Sequence, residues 1–104
     1  MATPGLNELR LDAVLAELQP LRRTPAGVPV LNCVLAHESE QIEADRPRAV
    51  SVELQAVAVG ELAGMLAAAA PGMRIRATGF MAAKSLRSRA PVMHLNKIEF
   101  LEGN

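Results

Sequence analysis

The chain has no tryptophan and no tyrosine, and its aromatic residues are two phenylalanines, Phe80 and Phe100, among 104 residues. A core must therefore be assembled from Val, Leu, Ile, Met and Ala. A site that grips its ligand by stacking has only these two phenylalanine rings to draw on. Cysteine is as scarce. Cys33 stands alone, which excludes an internal disulfide, and its apolar neighbours predict a buried thiol in a reducing compartment. Net charge is absent as well, with 11 basic against 11 acidic residues. No apolar run approaches the ~20 residues of a bilayer span, and the first residues lack the basic and apolar regions of a secretory leader. The expectation is a cytoplasmic protein without membrane contact.

Catalytic groupings are missing too. His37 and His94 lie far apart, and neither a Ser, His and acid set nor a glycine-rich nucleotide loop occurs. One cysteine and two scattered histidines do not make a zinc site, so each histidine is expected to be structural or on the surface. The carboxylates Glu38, Glu40, Glu43 and Asp45 lack the glycine and spacing of a calcium loop and suit a solvated surface. The chain is expected not to be an enzyme and to need no cofactor or metal.

What is present is an uneven distribution of charge. From Leu62 to Ile98 there are six basic residues (Arg74, Arg76, Lys84, Arg87, Arg89 and Lys97) and no carboxylate, while the first 61 residues hold nine acidic and five basic. A one-signed tract inside a neutral chain points to a local use for positive charge. Within it, Lys84-Ser-Leu-Arg-Ser-Arg89 has the composition of a mobile loop between two apolar runs. Cationic loops of this kind bind phosphates.

Residues 1–104 suit one domain with one core. Asn7 to Leu18 reads either as a helix (Leu6, Leu9, Ala13, Val14) or as a strand (Leu9, Leu11, Ala13, Leu15). Thr24-Pro-Ala-Gly-Val-Pro29 predicts a turn, and Val30 to His37 a strand. Glu38 to Arg48, polar and without periodicity, predicts a surface loop, and Ala49 to Val59 a further strand. Glu61 to Ala70 suits a short helix buried on most sides and stopped by Pro71-Gly72. Met73 to Met81 alternates with period 2, placing Arg74 and Arg76 on a water-facing side. Val92 to Leu101 predicts a last strand with apolar residues on both faces. If the first segment is a strand, the order matches an all-β, five-stranded OB-fold barrel with a helix between its third and fourth strands. If it is a helix, the chain is an α+β sandwich whose four strands need a partner. In a barrel, three basic groups are expected to converge on one binding face: Arg22 with Arg23, Arg46 with Arg48, and Lys84 with Arg87 and Arg89.

Four segments carry a resemblance in order along the chain: Leu21-Arg-Arg-Thr-Pro-Ala-Gly-Val-Pro29, Val34-Leu-Ala-His37, Gly72-Met-Arg-Ile-Arg-Ala-Thr-Gly-Phe80 and His94-Leu-Asn-Lys-Ile-Glu-Phe-Leu101. Together they resemble the primosomal replication protein N (PriB) family, a bacterial relative of single-stranded DNA-binding proteins. The resemblance implies a homodimeric OB-fold accessory factor that binds single-stranded DNA and joins the replication-restart helicase and other primosome proteins. It also matches Arg22 to a DNA-contacting position between strands one and two, and Lys84, Arg87 and Arg89 to the basic loop between strands four and five. Val50 stands where enteric members have a DNA-stacking tryptophan, and Glu38 where they have an arginine. Both departures imply either a weaker grip on DNA or one that leans more on Arg46, Arg48 and the helicase partner; the missing Trp and Tyr favour, as an alternative, an OB-fold protein-interaction adaptor with little DNA affinity of its own.

Overall fold

The computed structural model describes residues 4–101. The chain runs β1 (Leu9–Leu18), β2 (Arg22–Arg23), β3 (Pro29–Glu43), β4 (Arg46–Val59), α1 (Glu61–Ala67), β5 (Arg74–Ala83) and β6 (Pro91–Phe100). The first segment is therefore the strand, not the helix, of the two readings. Neighbours in the sheet follow the order β1-β5-β6-β4-β3-β2, and an additional β1–β3 pairing closes it into a barrel. Closure leaves the five long strands without a free edge around the barrel wall. The two-residue β2 is an outer flap on β3. The result is the five-stranded OB barrel, with α1 between its third and fourth long strands.

The core is aliphatic, as a chain almost without aromatics requires. Leu15, Leu31, Leu35, Leu66, Ile75 and Met93 are its largest fully buried side chains. Cys33 is buried with them, and loss of hydration pushes its thiol up to about 11.

Two irregularities explain patterns that simple alternation does not. In β1 the register with β3 shifts between Leu15 and Glu17, which turns Leu18 inward against the core in spite of its odd spacing from Leu15. In β6 a bulge opposite Thr78 and Gly79 skips Asn96, so Met93, Leu95 and Ile98 all face the core. Of the apolar residues predicted on two faces of the last strand, Met93, Leu95 and Ile98 form one buried face whose phase changes midway, while Val92 is buried on the other face. Gly79 permits the close approach there: a Cβ on it would collide with the His94 carbonyl.

Two expectations are corrected. Residues Glu38 to Arg48 are not a loop but the outer half of a long hairpin, paired continuously from Val30↔Val59 out to Glu43↔Arg46. Ala44 and Asp45, both at positive φ (51° and 64°), make the two-residue turn. This ribbon stands clear of the core, so nothing demanded an apolar face and its sequence shows no period. The helix is shorter than expected and buried on one side only, through Ala63 and Leu66. Its other small residues gave low polarity without burial, and Gly72 at φ 96° redirects the chain into β5.

Candidate nucleic-acid interface

One row of residues crosses the outside of the barrel. Phe80 opposes His94 across β5 and β6, His94 opposes Val57 across the parallel β6–β4 pair, and Val57 opposes Asn32 across β4 and β3. Arg22, on β2, completes the row by donating from Nη2 to Asn32 Oδ1 at 3.4 Å. From His94 to Arg22 the row floors a cleft of about 590 Å³ whose lining includes Arg22, Asn32, Gln55, Val57, Lys84 and His94, with Phe80 just beyond its edge. At one end the His94 and Phe80 rings stack, centroids 5.0 Å apart and 9° from parallel. Cations from two loops, Arg22 and Lys84, thus share one concave surface. Glu17 lines it too, so acidic residues are not kept wholly apart from the basic ones.

The loops are built locally. Thr24 N–H donates to the Val28 carbonyl, Gly27 N–H to the Thr24 carbonyl, and Thr24 Oγ1 accepts from Val28 N–H. Arg23 is tied to this turn by donating to the Gly27 carbonyl at 3.1 Å. The loop from 84 to 90, expected to be mobile, is knitted by its serines. Ser85 Oγ accepts from the N–H groups of Arg87 and Ser88, Ser88 Oγ accepts from Ala90 N–H, and Lys84 N–H donates to the Ala90 carbonyl. Serine in such a stretch suggests flexibility, whereas here it closes turns. Arg87 and Arg89 are on this loop, both exposed to solvent.

The remaining predicted cations are elsewhere. Arg46 and Arg48 lie near the ribbon tip, eleven and nine residues along β4 from Val57, or roughly 36 and 30 Å at about 3.3 Å per residue. Arg48 there donates to Glu43 at 3.0 Å. The expected convergence of three groups is a convergence of two, with the third displaced along the sheet. Val50 also lies on β4, on the side opposite Val57 by alternation, so the position matched to the family tryptophan is not on the cleft. Glu38 and Glu40 continue outward along the ribbon on the Asn32 side of β3. Arg76 is engaged with Asp12, its Nε and Nη2 donating to the two carboxylate oxygens at 2.6 and 2.9 Å. That hydrogen bond, with the nearby charges of Arg76, Arg74 and Arg10, holds the Asp12 carboxyl below its ordinary range. His37 is structural: Nδ1 lies 2.6 Å from the Asp12 carbonyl and Nε2 2.7 Å from Ser39 Oγ.

His94, Asn32 and Gln55 were missed as site residues by sequence reasoning. Only strand register brings them together, and no local signal in the chain announces it.

The family described as "Another single-strand binding protein family" matches residues 7–97. The chain is 38% identical over 99 residues to the replication restart protein PriB of Bordetella pertussis, covering 95% of this chain and 92% of that protein. It is 36% identical over 100 residues to the PriB of Neisseria meningitidis serogroup B, covering 95% of this chain and 99% of that one. A solved structure of the PriB protein from Ralstonia solanacearum superimposes with a TM-score of 0.87 at 36% identity, over 94% of this chain and all of that one.

Proposed function

Because the chain belongs to the PriB replication restart group within the single-strand binding protein family, we propose that it is a single-stranded DNA-binding accessory factor of replication restart. The observation that carries this reading is the cleft on the barrel face with Arg22 and Lys84 both on its wall. A strand lying across that face has phosphates within reach of Arg22 and Arg23 on one side and of Lys84, Arg87 and Arg89 on the other. Such contacts position the strand and supply affinity without reading sequence. Arg46 and Arg48, near the ribbon tip and by alternation on the side of β4 opposite Val57, lie off this face and serve a longer strand that wraps around the ribbon. The factor works in the cytoplasm as a homodimer, performs no catalysis of its own, and joins the restart helicase.

Fluorescence anisotropy with labelled oligonucleotides across a salt series tests this. Affinity falls as salt rises, and replacing Lys84, Arg87 and Arg89 by Ala lowers the salt slope by about 0.7 for each phosphate no longer neutralised. Affinity and slope unchanged in the triple variant would remove the loop from the interface.

A second reading is favoured by Glu17 inside the cleft and by the lack of tryptophan and tyrosine: an OB-fold adaptor that docks the replication machinery with little DNA affinity of its own. Pull-down from nuclease-treated lysate separates the two. An adaptor keeps its partner after the DNA is digested.

A further inference from the structure

We propose that the stacked Phe80–His94 pair is a nucleobase-binding subsite, a platform on which one base of a bound single strand lies. This rests on the single-strand reading above and adds to it a contact with bases, where the cationic loops supply only contacts with phosphates.

Cross-strand ring pairs commonly contribute to sheet stability, and one on an exposed face also presents ring surface to a ligand. This pair is on the solvent side of the barrel: Phe80 keeps 40% of its surface exposed, and His94 is part of the cleft wall. Stacking at 5.0 Å and 9° places the two rings side by side across the strands, with Phe80 the more exposed and His94 half-buried. It is the one stacked ring pair among the described residues. Phe100, similarly exposed, sits at the end of β6 opposite Ile75, away from the row.

The backbone beneath is arranged to hold the pair. Gly79, next to Phe80, lacks the Cβ that would push the His94 carbonyl away, so β6 lies tight against β5 where the two rings meet. The row then leads from His94 over Val57 and Asn32 to Arg22. That is about three strand spacings, roughly 14 Å across the sheet, between the stacking surface and Arg22. A base on the rings and a phosphate at Arg22 are thereby served by one strand crossing the sheet. Stacking of this kind is tolerant of base identity, since every base has a π-face.

Anisotropy with two labelled strands of equal length, oligothymidine and its abasic counterpart, tests the subsite on the full chain. Wild type binds the thymidine strand more tightly than the abasic strand. Phe80→Leu and His94→Leu each weaken thymidine binding by about 5- to 150-fold, the range expected on losing a stacking ring, and leave abasic affinity and the salt slope unchanged. His94→Phe and Phe80→Tyr, which fill the same space with a ring, retain the preference and guard against a folding artefact. Lys84→Ala weakens both strands. Phe80→Trp, the only tryptophan in such a chain, is quenched by thymidine and not by the abasic strand. The subsite is overturned if wild type binds both strands equally, or if the Leu variants weaken both strands alike or neither. Binding of neither strand by wild type would instead overturn the single-strand reading itself, and the subsite with it.

Discussion

Gly79 shows how much one missing side chain decides. Its neighbours across the bulge are backbone atoms of His94 and Leu95, which cannot swing aside as a side chain would. Gly79→Ala is expected to destabilise the barrel by about 3 kcal/mol. Gly64, in α1 with open space within 4 Å of where a methyl would stand, is the contrasting case. Gly64→Ala should stabilise by about 0.4 to 1 kcal/mol, because alanine has less chain entropy to lose on folding. Urea unfolding of the two variants beside wild type checks both signs. A glycine in a strand pattern was visible in the sequence; which of seven glycines carries the close contact was not, since the colliding carbonyl lies fifteen residues away on another strand.

At the scale of elements, the hairpin of β3 and β4 behaves as two objects. Its inner half is barrel wall, with Leu31, Cys33, Leu35, Ala56 and Ala58 buried. Its outer half has water on both sides and is held by the backbone ladder and the Glu43–Arg48 pair. An exposed ion pair of this sort contributes at most about 1 kcal/mol. The turn residues Ala44 and Asp45 carry left-handed backbone that costs non-glycine residues about 1 kcal/mol or more each. Replacing them together by Asn-Gly, the preferred pair for this turn, should raise hydrogen-exchange protection of the ribbon amides from Glu40 to Ala49 several-fold, with a global stability gain of no more than the strain relieved. Equal protection in the two proteins would show that the turn does not limit ribbon opening. Period counting found the strands that wall the core and failed on this ribbon, since alternation records burial and not pairing.

The whole molecule is larger in radius than its length suggests. The Cα radius of gyration is 14.9 Å, against about 13 Å for a compact chain of this size, because the ribbon projects from the barrel. Ile42, near its tip, is an exposed apolar side chain. The proposed pairing of two copies is checked by light scattering: a mass twice 11.1 kDa is expected at micromolar concentration, and a monomer there would count against the homodimer. At this scale the basic tract also resolves into parts. Arg76 is neutralised by Asp12, Lys97 lies 3.5 Å from Glu99, and Lys84, Arg87 and Arg89 project from one hairpin loop.

The amino-acid sequence alone determined an aliphatic core, a buried unpaired thiol, the order of the long strands after the first segment and the location of the basic loop. Each follows from local composition or from burial repeating every second residue, properties that a linear chain displays. Tertiary structure decided which cations share a surface, that Arg46 and Arg48 stand out along a ribbon, and that Phe80 meets His94 over the cleft. Those depend on register between strands far apart in the chain, set by bulges, a glycine contact and barrel closure, none of which any single stretch of sequence records.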